Sequence, residues 1–427
     1  MVTRESRGGV VRRVLAGSLL VGAAVLGSAT PASADWLDNE DRLTTGEGTR
    51  QWPQVSGARV VYATDASATS AARTGFDIRV QDLGTGEDRL LTPDGGASGA
   101  PAISGDRVVW PQAGADAGIW YANLATGEHR RLDTFAGEDV AISGTRVCFT
   151  WTGRVRVFDL ASGAESAVSP QGADAGHCDL SGSTVVWQDD RGGDPDVYAL
   201  DLATGAESRL TSDSAAQTLP RVDGRIVVWQ DARSSTTAVH TYDLASRTET
   251  TLTAPGAQSA PDVSDGRVVW TDERHGHGNA EVYLFDLAAG VEVRVTHDDG
   301  WSGNASLSGD RVVYEDVRPA GQQLYLRSIT PPRLPVTVDR TGPQPLVTGR
   351  LVGTGGAPVV AATVRLEVSA DARTWHDADA VAVATTAGDG SFEFTVPEVS
   401  GAGWLRVRFA GRQEIAPAVS ASVRAVG

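Results

Sequence analysis

The sequence predicts an all-β protein: a seven-bladed β-propeller closed by its N-terminal strand, followed by a small antiparallel β-sandwich. Three observations carry that expectation. A motif of the form apolar-Ser-Gly-x-Arg-Val-Val-aromatic occurs seven times with small departures, at Val55–Tyr62, Ile103–Trp110, Ile142–Phe149, Leu180–Trp187, Val222–Trp229, Val263–Trp270 and Leu307–Tyr314. Its closing aromatics are about 42 residues apart on average, the length of one four-stranded propeller blade. A second signature, Asp-Leu-Ala-Thr-Gly or a near copy, follows each of the first six motifs, as at Asp82–Gly86, Asp159–Gly163 and Asp201–Gly205.

In chain order, the first element is a targeting segment. Arg4, Arg7, Arg12 and Arg13 precede the apolar stretch Val14–Leu26, and Ala32-Ser33-Ala34 supplies small residues for cleavage. Residues 1–34 therefore read as a secretory signal peptide cut between Ala34 and Asp35, which makes the mature protein extracellular. The pair Arg12-Arg13 leaves both the general and the twin-arginine export routes open.

Residues 35–329 form the propeller. In the second unit, strand A is Pro101–Ser104, strand B Arg107–Trp110, strand C Ile119–Leu124 and strand D His129–Leu132, with tight Ser-Gly and Ala-Thr-Gly turns inside the A–B and C–D hairpins. Strand B reads Val-Val-Trp without alternation, as suits a strand covered on both faces. The seventh unit has no fourth strand of its own. Glu40-Asp41-Arg42-Leu43-Thr44 matches the strand D text Glu207–Thr211, so it is expected beside Leu324–Arg327, where it removes the open edges. A six-bladed ring is the alternative if the short third unit distorts the array.

Residues 330–345, rich in proline, read as a linker, and residues 346–427 as the sandwich. Its strand candidates are Leu346–Leu351, Val364–Ser369, Val381–Thr385, Phe392–Val396, Trp404–Phe409 and Ala418–Val423.

The chain has 54 acidic and 37 basic residues, all of the latter arginine, for a formal net charge of −17. That balance disfavours nucleic acid and anionic membrane surfaces. No second run of eighteen apolar residues predicts membrane insertion. A monomer without a cofactor is expected.

The repeat text Ser104–Trp110, Gln188–Tyr198 and Asp-Leu-Ala-Thr-Gly resembles TolB-type β-propeller repeats of secreted and cell-surface proteins, over residues 36 to about 330. The C-terminal text Val347–Val352, Ala361–Leu366 and Asp389–Phe394 resembles immunoglobulin-like or carboxypeptidase-regulatory-like modules. The first resemblance implies the fold and leaves function open, because such propellers serve as protein-binding platforms, polysaccharide binders and, more rarely, enzymes.

Within a blade, the B–C and D–A connections vary while the A–B and C–D turns repeat, so binding is expected on the B–C/D–A face. Four units carry Asp-x-Arg after strand B: Asp189/Arg191, Asp231/Arg233, Asp272/Arg274 and Asp316/Arg318. They are either an arc of polar ligand contacts or ion pairs that knit each hairpin; repetition favours the second, since a unique site need not repeat. His275, His277 and His297 fall on the loop face of unit six beside Glu273, Asp298 and Asp299. They are metal-ligand candidates of no strict spacing, against the plainer reading of a solvated polar loop. Cys148 and Cys178, the two cysteines, are expected to form a disulfide between neighbouring blades in an exported protein. No P-loop or Gly-x-Ser-x-Gly occurs. The function expected is a secreted non-enzymatic scaffold that binds a protein or polysaccharide. The alternative is an extracellular polysaccharide lyase or glycoside hydrolase with its site at the propeller mouth.

Overall fold

The computed structural model describes residues 40–46, 48–65, 75–92, 96, 99–133, 137, 139–252, 255–288, 290–318, 321–329, 333–341, 344–353, 358–372, 375–378, 383–396, 403–410 and 418–424. The expected signal segment, residues 1–34, and its expected Ala34–Asp35 cleavage point lie outside the described residues. No helix among the described residues is long and apolar enough to cross a membrane.

Seven four-stranded antiparallel sheets form among the described residues. Each is built from one repeat, as in the fourth: strand A Ala175–Ser181, B Thr184–Asp189, C Asp196–Asp201 and D Ala206–Arg209. The short third unit builds a sheet of four strands like the others. Strands A of successive sheets touch one another around a closed ring, and Ser302–Ser308 of the seventh meets Arg50–Ser56 of the first. The seventh sheet is completed by Asp41–Arg42, paired with Leu326 and Tyr325. Glu40 binds Arg318 there, as Glu207 on strand D of blade 4 binds Arg191. The chain is an all-β propeller closed by its N-terminal strand.

The repeat motif explains itself in this ring. The Ser of each Ser-Gly turn accepts a hydrogen bond from the backbone N–H of the next blade's turn. Gly105 N–H donates to Ser56 at 2.9 Å, Gly144 to Ser104 at 3.0 Å, Gly182 to Ser143 at 3.2 Å and Gly224 to Ser181 at 3.0 Å. Asp265 donates to Asp223 at 2.8 Å, Gly309 to Ser264 at 3.1 Å, and Gly57 to Ser308 at 3.1 Å, which closes the circle. The closing aromatics Tyr62, Trp110, Phe149, Trp187, Trp229, Trp270 and Tyr314 are all at most 1% exposed. Each contributes on the order of 3 kcal/mol by burial.

Cys148 on strand B of blade 3 and Cys178 on strand A of blade 4 form the expected disulfide, with Cα atoms 6.3 Å apart.

The C-terminal residues form two further antiparallel sheets around one hydrophobic cluster that includes Val347, Val364, Phe394 and Val407. The expected strands appear, except that Ala418–Val423 is broken into Ala418–Val419 and Val423–Arg424. The proline-rich stretch 330–345 is not a linker throughout. Val336–Asp339 is a strand paired with Leu346–Arg350, and Leu334 is 5% exposed in the same cluster. Its alternation of Leu334, Val336 and Val338 supplies one apolar face. Pro335, which lacks a donor, still accepts from Arg350 N–H at 3.2 Å.

Candidate functional site

The Asp-x-Arg pairs sit inside the blades. Asp189, Asp231 and Asp272 are 0% exposed. Each accepts the indole N–H of the preceding tryptophan: Trp187 at 3.0 Å, Trp229 at 3.0 Å and Trp270 at 2.9 Å. Each also accepts the backbone N–H and guanidinium of its own arginine. The arginine then lies over the strand C ring, Arg191 at 4.1 Å from Tyr198 and Arg274 at 3.8 Å from Tyr283. A strand D carboxylate holds its other side: Glu207 for Arg191, Glu249 for Arg233 and Glu292 for Arg274. Burial pushes these three aspartate pKa values up, but the arginine and indole hydrogen bonds overcome it, and each ends below the ordinary carboxylate range. In blade 7, Asp316 binds Arg318 and Ser302, and burial wins there, leaving the pKa raised. The charges of these eight residues are met by partners within the protein, which favours ion pairs that knit the blades over an arc of ligand contacts.

The three histidines are not brought together as a metal centre. His275 shares a 2.8 Å hydrogen bond with Tyr283 OH, and His277, 90% exposed, one of 2.8 Å with Glu273. His297 is exposed. Among the described residues, no group of three or more His, Cys, Asp or Glu is placed to hold a metal ion.

A different set of side chains converges at the ring's centre. Strand A carries a β-bulge in blades 1, 4, 5, 6 and 7, where its register against strand B slips. At each bulge a non-glycine residue is left-handed: Trp52 at φ 55°, His177 at 48°, Leu219 at 54°, Ala260 at 47° and Asn304 at 47°. Such conformations are costly for bulky side chains and persist only where the surroundings enforce them. The preceding blade does so in at least four cases. Trp52 N–H donates to Glu315 at 2.7 Å, Asn304 N–H to Thr271 at 3.0 Å, His177 N–H to Asp139 at 3.3 Å and Leu219 N–H to Gln188 at 3.4 Å. Bulges re-aim side chains, and those of blades 1, 5, 6 and 7 surround one cavity of about 230 Å³, lined by Trp52, Pro53, Gln54, Leu219, Arg221 and Asn304 among others. The bulges lie in the first half of strand A, away from the Ser-Gly turns, so the cavity sits toward the B–C/D–A face.

Its two charged lining residues, Arg221 and Asp262, occupy one repeat position, which Asp179 holds in blade 4 beside the cavity lining. Asp179, Arg221 and Asp262 stand third from the end of strand A in blades 4, 5 and 6. Asp179 accepts Val222 N–H of blade 5 at 2.8 Å, and Asp262 accepts Leu307 N–H of blade 7 at 2.8 Å. These side chains keep some contact with solvent, yet protein encloses them as a narrow channel does. Enclosure pushes the Asp179 pKa up to about 6 against the opposing pull of Arg221, and raises that of Asp262 as well. Sequence reasoning missed this group. The one available signal was the repeat alignment, in which Gln54, Asp179, Arg221, Asp262 and Ser306 vary at a position where neighbouring residues repeat.

No protein-family model and no curated protein matches the sequence. Solved propellers do match. The β-propeller domain of the trilobed protease from Pyrococcus furiosus is 15% identical, with a TM-score of 0.53, over 66% of this chain and 94% of that one. An oligogalacturonate lyase in complex with manganese is 14% identical, TM-score 0.50, over 68% of this chain and 93% of that one. Pyrococcus horikoshii acylaminoacyl peptidase is 14% identical, TM-score 0.51, and the match spans 72% of this chain but 58% of that one. TolB proteins are among the further matches. The fold is that of a β-propeller. At these identities the likeness extends to the fold alone.

Proposed function

We propose that the protein is a secreted, non-enzymatic binding scaffold that presents the B–C/D–A mouth of its channel to a protein or polysaccharide. One observation carries this reading: the side chains that depart from the repeat gather at the channel mouth, while the repeated charged and aromatic residues are consumed by the blades. The cavity, about 230 Å³, is below the ~300–1,000 Å³ of sites that engulf a small molecule. It suits a protruding end group, a single sugar or a side chain, held by Trp52, Gln54, Asn304 and Arg221. The disulfide fits an oxidising compartment. The C-terminal sheets, immunoglobulin-like or carboxypeptidase-regulatory-like by sequence resemblance, serve as spacer or second contact.

The test is a screen of the secreted protein against glycans and extracellular proteins, scored for both binding and product release. A hit weakened at least tenfold by Trp52→Ala or Arg221→Gln, without turnover, is expected. Release of shortened product from any polysaccharide would overturn the non-enzymatic reading, and a hit indifferent to both substitutions would overturn the channel mouth.

A further inference from the structure

The outward face of the second C-terminal sheet is basic, in a chain whose net charge is −17. Its two central strands are Thr363–Ser369 and Trp404–Phe409. Val364, Leu366, Val368, Leu405, Val407 and Phe409 face the core, so alternation puts Arg365, Glu367, Trp404, Arg406 and Arg408 on the other side. Arg365 stands opposite Arg408, Glu367 opposite Arg406, and Trp404 opposite Arg424. Four guanidinium groups thus share this face with two carboxylates; Asp377 pairs with Arg365 at 3.0 Å, and Glu367 stands 2.6 Å from Arg406 and 3.6 Å from Arg408, which leaves a net surplus of two positive charges. The arginines are held in place. Arg406 lies 4.2 Å from the Trp375 ring centre and 2.6 Å from Glu367, and Arg424 lies 5.4 Å from the Trp404 ring centre. Val383 pairs with Arg365 and Val419 with Arg408. These valines, 53% and 50% exposed, are two of the four large hydrophobic residues exposed among the described residues.

We infer that this face binds a linear polysaccharide bearing carboxylates. Charge complementarity carries the inference: the arginine surplus is local and opposite in sign to the whole chain. Guanidinium groups recognise carboxylates in a bidentate fork, and rings that already hold Arg406 and Arg424 lower the cost of ordering them. Exposed Val383 and Val419, beside Arg365 and Arg408, offer apolar contact to the carbon–hydrogen faces of a sugar. A folded acidic protein would need a contiguous apolar centre within ~800 Å² of its own surface, whereas here single valines alternate with charges. At physiological salt the field of the acidic remainder is screened within roughly 8 Å. The inference is independent of the channel mouth.

The test uses the secreted protein with alginate, neutral dextran and poly-L-glutamate as probes, by affinity electrophoresis and calorimetry at low and high salt. Alginate should bind, more weakly as salt rises, dextran should not, and poly-L-glutamate should bind less tightly than alginate. Arg365→Gln/Arg408→Gln, at positions whose side chains are 47% and 33% exposed, should weaken alginate about tenfold with an unchanged melting temperature. Should that variant misfold, Arg424→Gln tests the same face and should lower affinity severalfold. Arg225→Gln, on the propeller with a side chain 68% exposed, should leave alginate binding intact. Absence of alginate binding, or binding indifferent to the face variants, overturns the inference. Poly-L-glutamate bound as tightly as alginate would also overturn it, assigning the face to an acidic protein.

Discussion

Replacing Asp272 by alanine tests whether the repeated Asp-x-Arg pairs are architecture or a binding arc. Asp272 is 0% exposed and accepts Trp270 Nε1–H at 2.9 Å, Arg274 N–H at 2.9 Å, and two Arg274 guanidinium contacts at 2.8 Å each. The substitution leaves a buried indole N–H unpaired, which costs about 1–3 kcal/mol. It also strips one of two counter-charges from Arg274, whose side chain is 14% exposed and retains only Glu292, at 2.6 Å. Breaking a buried pair by removing one partner typically costs about 3–5 kcal/mol, and that range already includes part of the first effect. The expected loss is therefore ~3–5 kcal/mol, or roughly 10 °C in melting temperature for a domain of this size. Calorimetry of Asp272→Ala beside His277→Ala decides it, because His277 in the same blade is 90% exposed and should move stability by less than about 0.5 kcal/mol. An Asp272→Ala protein that melts with the wild type but loses its ligand would refute the architectural assignment.

Two further outcomes follow from the same geometry. The disulfide closes a loop with a sequence separation of 30, so Cys148→Ala/Cys178→Ala should lose ~3–4 kcal/mol in the chain-entropy account; a denaturation midpoint equal to the wild type would contradict it. Asp179 has its folded pKa raised to about 6 from an ordinary 3.8, so its ionisation opposes folding; the penalty is complete above about pH 6 and fades as pH falls toward 4. Asp179→Asn keeps an acceptor for Val222 N–H and should stabilise by roughly 1–3 kcal/mol at pH 8, the lower end reflecting solvent in the channel, and much less at pH 4. Urea denaturation at the two pH values checks this, and a gain equal at both would count against the assignment.

What was legible in the sequence is what the ring repeats. Val-Val-aromatic could be read as a doubly covered strand because both faces of each blade meet other protein. The Ser-Gly turn recurs because each serine must cap the next blade's N–H. Closure was readable for the same reason: Glu40–Thr44 copies Glu207–Thr211, and Glu40 meets Arg318 as Glu207 meets Arg191. The linker was misjudged where proline composition outweighed a short alternation, since Leu334, Val336 and Val338 mark a strand only once a sheet waits to receive it. The channel mouth was illegible for a stronger reason. Trp52 adopts φ 55° because Glu315, 263 residues away, receives its N–H, and no local window contains that partner. Repetition fixes the blades, and so it cannot distinguish one blade's chemistry from another's. The proposed function therefore places specificity where the repeat is broken, as it is where Gln54, Asp179, Arg221, Asp262 and Ser306 occupy one position in successive blades. A ring of identical strands A would enclose a cavity with one side chain repeated around it; this one is lined by an arginine, an aspartate, a tryptophan and two amides, an asymmetry that, on the function proposed above, would give a ligand one preferred orientation.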